Sequence, residues 1–275
     1  MGQKQQTSLP STELPEAKIP SREELLAIAD EAHAYIKQCI AEIEPAEELG
    51  AQVQLGMLVK LLKTYHNLLQ IADNGDSDTP LILSRIIYEF ALSLSYMLVN
   101  DVEEPDIYEK FRQSALVRSH IMVKNAKKSV YRNRQSTKDS NAAVEVMLLS
   151  EGYDITQKLP DIPKSWHPTI TYLKMAHSLG DEFKEFYDTF YETTSIFVHP
   201  NWLDLKKQLV FDSSGKATAQ LLNRPQLILP IVTATCLMLR TAEICHIKRI
   251  QSGGDKNIHT TLIQAINKSH YALHN

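Results

Sequence analysis

The chain has 275 residues, 43% of them hydrophobic, and a net charge of −4. That length and apolar content fill one large core or two small ones, and the charge argues against a uniformly basic nucleic-acid binder while leaving room for a local basic patch. Three scattered cysteines, Cys39, Cys236 and Cys245, have no C-x-x-C spacing; they read as reduced thiols of a cytoplasmic protein rather than a disulfide framework.

Residues 1–20 are polar, carry Pro10, Pro15 and Pro20, and lack an apolar leader stretch. They read as a flexible arm ahead of a single helical domain at 21–275. "SREE" opens the first helix: Ser21 and Glu24 have capping-box spacing, and Leu25, Ile28, Ala32, Ile36 and Ile40 form a stripe running to about Glu44. A second helix spans about Ala46 to Asp73 and stops at "DNGD", where Gly75 suits a left-handed turn. "DTP" starts a third, capped by Asp78 or Thr79, whose "LILSRIIYEFALSLSYMLV" is apolar nearly all round and therefore central.

Helices at about Pro105–Tyr131 and Asn141–Gln157 follow, then a proline-stiffened loop, "KLPDIPKSWHP". Two shorter helices, about Thr169–Leu179 and Asp181–Val198, break at Gly180. "LVFDSSGKATAQ" reads as a turn or small hairpin. A long helix covers about Pro225–Gln251, ended by "SGGD", and a last one covers about Lys256–Tyr271. The apolar run Leu227–Leu239 falls short of the roughly 20 residues a bilayer requires, so it reads as a core helix and no membrane is expected. Glycine is scarce, at 9 residues, and no heptad is sustained. The pattern predicts an all-α fold, an irregular bundle of about eight or nine helices.

Three constellations carry chemistry. Arg85 and Glu89 stand four apart on the apolar third helix and share a face. Such a pair is either a buried structural ion pair or an anion-binding arginine held by its glutamate. Tyr187, Tyr191, Ser195 and His199 recur every four residues in "FYDTFYETTSIFVHP". Pro200 ends that helix, which leaves His199 at the negative end of its dipole, as a general acid or base or as a corner-locking side chain. Residues 112–138 hold eight Lys and Arg and no acid. Lys124, Lys127, Lys128, Arg132 and Arg134 are the candidate phosphate contacts there; the other reading is a solvated face matched by acids such as those of "NDVEEPD". Ten histidines show no metal-ligand spacing, and no P-loop or dinucleotide fingerprint occurs; neither metal nor cofactor is expected.

Three segments together resemble a family of mostly bacterial helical proteins of unknown function: "RIIYE", "SWHPTITYLKMAHSLG" and "YETTSIFVHP". That family is in turn distantly similar to the HEPN superfamily of helical ribonucleases and toxin or phage-defence components. The resemblance implies a HEPN-like core, metal-independent RNA cleavage, a homodimer, and a protein partner within a defence or toxin system. It assigns proton transfer to His199, phosphate stabilisation to Arg85 with Glu89, and substrate positioning to Tyr191, Ser195 and Tyr187. The chain departs from the HEPN motif at Glu192, Thr193 and Thr194, where an arginine belongs. Either Arg85 supplies that charge, or the chain is a non-catalytic interaction module built around an Arg/Glu/His network.

Overall fold

The computed structural model describes residues 20–72, 78–157, 166–191, 194, 209–211, 213–214, 216–219 and 228–274. Gly75, Ser195 and His199 lie outside them. The described residues are helical apart from loops and one short hairpin. The nine α-helices among them are α1 (Arg22–Ile43), α2 (Leu49–Ala72), α3 (Asp78–Asn100), α4 (Ile107–Lys128), α5 (Gln135–Ser150), α6 (Tyr172–Ser178), α7 (Asp181–Glu185), α8 (Ile228–Gln251) and α9 (Lys256–His274).

The capping box forms as read: Ser21 Oγ accepts from Glu24 N at 3.2 Å, and Ser21 N donates to Glu24 Oε2 at 2.8 Å. The buried stripe of α1 is rotated from the one expected. Ala29, Cys39 and Ile43 are buried, while Ile28 and Ile40 pack at the margin of the core. The rotation follows from two partners, because α1 packs against both α2 and α8.

Helices α3 and α8 pack side by side at the centre, with α1, α2, α6 and α9 around them. Both are long and apolar enough to cross a membrane by length and composition, and most of each apolar stretch, 61% and 72%, is buried within the protein. Buried hydroxyls of α8 are satisfied along the helix, as where Thr235 and Thr241 donate to Ile231 O and Leu237 O at 2.7 Å each, whereas Ser95 Oγ in α3 is buried with no hydrogen-bond partner among the described residues. Pro230 falls in the first turn of α8, where its missing N–H costs no helical hydrogen bond.

α4 and α5 form a hairpin with its own small cluster of Leu116, Leu148 and Tyr153. α5 sits about six residues earlier than the Asn141–Gln157 span expected. It is closed by Gly152 at φ +70°, with Tyr153 N bonding Leu148 O at 2.9 Å and Gly152 N bonding Leu149 O at 3.0 Å. This is a Schellman closure, and Tyr153 packs back on Leu148 as that motif favours. Of the helix expected at Asp181–Val198, residues 181–191 form a short α7 continued by a π-helical turn at Phe186–Tyr191, and residues 192–193 and 195–198 lie outside the described residues. Strands β1 (Leu209–Phe211) and β2 (Ala217–Ala219) form the anticipated hairpin, antiparallel with Val210 opposite Thr218.

Candidate functional site

The i,i+4 spacing on α3 joins Arg85 to Glu89, with Arg85 Nε 3.4 Å from Glu89 Oε1. Tyr191, carried by the π turn, completes the unit. Its hydroxyl donates to Glu89 Oε1 at 3.1 Å, and its ring lies 4.3 Å under the Arg85 guanidinium. Tyr187 stacks on Tyr191 at 4.9 Å and 21°, and Tyr88 and Tyr172 flank the same ring at 5.4 and 6.4 Å. Tyr88 also donates to Phe183 O at 3.0 Å, which fixes α7 to α3. Burial, then the charge of Glu89, pushes the Tyr191 phenol up to about 12, so it stays a donor at neutral pH.

Arg85 and Glu89 differ in exposure. The Arg85 side chain is 13% accessible and that of Glu89 34%. Glu89 reaches a cleft of about 220 Å³ between α3, α4 and the segment entering α6, lined also by Ser93, Phe111, Arg118, Trp166 and Tyr172. Trp166 donates to Ser93 Oγ at 2.9 Å and meets Phe111 edge-on. Ser114 Oγ, at the same cleft, is buried and has no hydrogen-bond partner among the described residues. Arg118 is exposed at the rim and forms no ion pair with any described carboxylate.

The wall holding Trp166 is built by its neighbour. His167 Nδ1 accepts from the backbone N–H of Thr169 and Ile170 at 3.3 and 3.2 Å, so its proton sits on Nε2, which faces Glu104 Oε2 at 3.0 Å. The His167 hydrogen bond, helped by Lys110 and Tyr96, holds the Glu104 carboxyl below its ordinary value. Part of "NDVEEPD" thus serves Lys110 and His167 rather than the basic stretch.

That stretch is partly matched by other acids. Arg112 is chelated by Glu109 and Glu151 at 2.8 and 2.9 Å, and Lys127 pairs with Glu145. Arg134 lies 4.5 Å over the Tyr131 ring. Lys124, Lys128 and Arg132 are exposed and have no carboxylate partner among the described residues.

The structure therefore brings together Arg85, Glu89, Tyr187 and Tyr191, while Lys124, Lys127, Lys128, Arg132 and Arg134 are not part of that cluster and do not line the cleft. Sequence reading did not find the cleft. Arg118 appeared only as one charge of a run, and Ser93, Trp166 and Tyr172 are far apart along the chain. The local-spacing argument against a metal also did not reach Glu42, His246 and His259, whose ligand atoms lie within 4.8 Å of one another. Burial pulls His246 down to about 4, so its imidazole is neutral at physiological pH.

Residues 52–217 match the family of unknown function DUF5677, more than half of the chain, and the protein belongs to that family. No curated protein and no solved structure matches it.

Proposed function

We propose that this chain is an RNA-binding helical protein of HEPN-like type, with the α3–α4 cleft seating one nucleotide. Arg118 carries the reading: an exposed guanidinium, without an ion-pair partner among the described residues, on the rim of an aromatic-walled cleft that Glu89 enters. Aromatic walls stack a base of any sequence, and a guanidinium matches a phosphate. Glu89 can accept from an exocyclic amine, and Ser114 Oγ offers a further polar contact. Lys124, Lys128, Arg132 and Arg134 extend the track for the backbone.

In this reading Arg85, largely buried on Tyr191, is a positioning residue that holds Glu89 and Tyr191 at the cleft. His199 supplies proton transfer at the ribose 2′-hydroxyl, and Ser195 and Tyr187, of the same four-residue sequence spacing, position the substrate. The cytoplasm and a toxin or phage-defence setting accord with the HEPN likeness.

The test uses labelled single-stranded RNA without added metal. Wild type should bind and cleave it, Arg118→Ala should bind more weakly, and His199→Ala should bind normally without cleaving. An Arg118→Ala protein that binds as wild type does would refute the cleft assignment.

A second reading, a helical interaction module, is favoured by α5, where Val146, Met147 and Leu149 are 66%, 43% and 59% exposed. Apolar side chains so placed suit a second copy of this chain. Light scattering of wild type and a Val146→Lys, Leu149→Lys double variant tests that surface: a dimer that the double variant abolishes supports it and a monomeric wild type contradicts it, while absence of RNA cleavage by the dimer separates the module from the HEPN-like reading, which also entails a homodimer.

A further inference from the structure

The corner where α1, α8 and α9 meet gathers ligating groups from three helices. Glu42 stands near the end of α1, His246 in the last turns of α8 and His259 in the first turn of α9. His246 Nδ1 and His259 Nδ1 face each other at 2.9 Å. Glu42 Oε2 is 3.9 Å from His246 Nδ1, and Glu42 Oε1 is 4.0 Å from His259 Nδ1. Both carboxylate distances exceed a hydrogen bond.

The carboxylate is poorly satisfied for its depth. Oε1 accepts from Gln38 Nε2 at 3.3 Å, but Oε2 is buried without a hydrogen-bond partner among the described residues, with Arg249 Nε only as near as 3.9 Å. A buried, unbonded carboxylate oxygen is costly unless a cation meets it.

We propose that Glu42, His246 and His259 form a binding site for a divalent transition-metal ion, with zinc the best match to two imidazoles and one carboxylate. A tetrahedral ion holding its ligands at ~2.0–2.2 Å separates them by roughly 3.3 Å, which lies within the spread of the three observed distances.

Two neighbours fit the assignment. With both Nδ1 atoms on the ion, His246 carries its proton on Nε2, which faces the weak acceptor Cys39 Sγ at 3.7 Å. Gly254 packs on the His259 ring; a Cβ there would lie 3.0 Å from His259 Nε2 and 2.9 Å from Arg249 O, so glycine leaves the ring its seat. Glu42, with 22% of its side chain accessible, gives the ion a way in. The bound ion staples α9 to α1 and α8, on helices other than those of the RNA cleft.

The experiment strips the full chain with EDTA, restores Zn²⁺ or Co²⁺, and measures bound metal, melting temperature and the Co²⁺ absorption spectrum. The wild type should take up zinc stoichiometrically, melt higher with it, and give the intense visible bands of tetrahedral Co²⁺. Glu42→Gln, which keeps the shape of the side chain, and His259→Ala should each lose affinity by about tenfold or more, whereas His66→Ala on the exposed face of α2 should not. Absent uptake by wild type, or equal uptake by wild type and Glu42→Gln, would overturn the site.

Discussion

At the scale of single residues, the Arg85–Glu89–Tyr191 unit makes unequal demands on its members. The Tyr191 hydroxyl donates to Glu89 and its ring offers a face to the guanidinium, so Tyr191→Phe, which keeps the ring, should cost about 1 kcal/mol, measured by denaturant unfolding. Arg85→Ala removes the ion pair and the cation–π contact together and should cost about 1–2 kcal/mol. Arg118→Ala, at an exposed rim, should stay within ~0.5 kcal/mol of wild type. The pH response belongs to Glu104. Its folded-state value is depressed, so its contribution is full above the ordinary glutamate range and is lost as the pH falls through the lowered value. In a Trp202→Phe background, Trp166 fluorescence should report loosening of the His167 segment in that acid window, and Glu104→Gln should remove the transition. The Arg85–Glu89 pair and the Tyr187–Tyr191 neighbours were legible because both spacings are local. The cleft was not, because Ser93, Arg118 and Trp166 meet only through tertiary packing.

At the scale of elements, helix identity followed from apolar periodicity and ends followed from glycine chemistry. "SGGD" ended α8 where read, through Gly253 at φ +86° and a Gly254 N to Arg249 O bond of 2.8 Å. "SEGYD" carries the same closure for α5, yet the helix was read through it, since a lone glycine between polar residues is a weaker stop than a pair. The polar "QSTKDSN" was passed over as a helix start, although Gln135 and Asp139 bond at i,i+4, 2.7 Å apart. The π turn was beyond sequence reading, because aromatic residues at four-residue spacing suit either helix. Gly152→Ala meets open space but a left-handed backbone, and should cost about 1–2 kcal/mol with no effect on zinc uptake. Gly254→Ala should disturb His259 and lower both melting temperature and zinc affinity.

At the scale of the molecule, the α3–α8 pair organises what surrounds it. Leu92, fully buried in α3, should cost about 2–5 kcal/mol when cut to alanine, by equilibrium unfolding. All-α architecture was readable from composition and periodicity, whereas which helices adjoin depends on packing that no local pattern encodes. The central claim is that the cleft between α3 and α4 receives RNA. Titrating labelled single-stranded RNA across a salt series into wild type, Arg118→Ala and, as the control, a Lys174→Ala variant at an exposed α6 lysine that does not line the cleft tests it most directly. Loss of affinity at Arg118 alone, with a salt slope shallower by about 1, is the result predicted. Identical curves for all three proteins, or no binding by wild type, would contradict it.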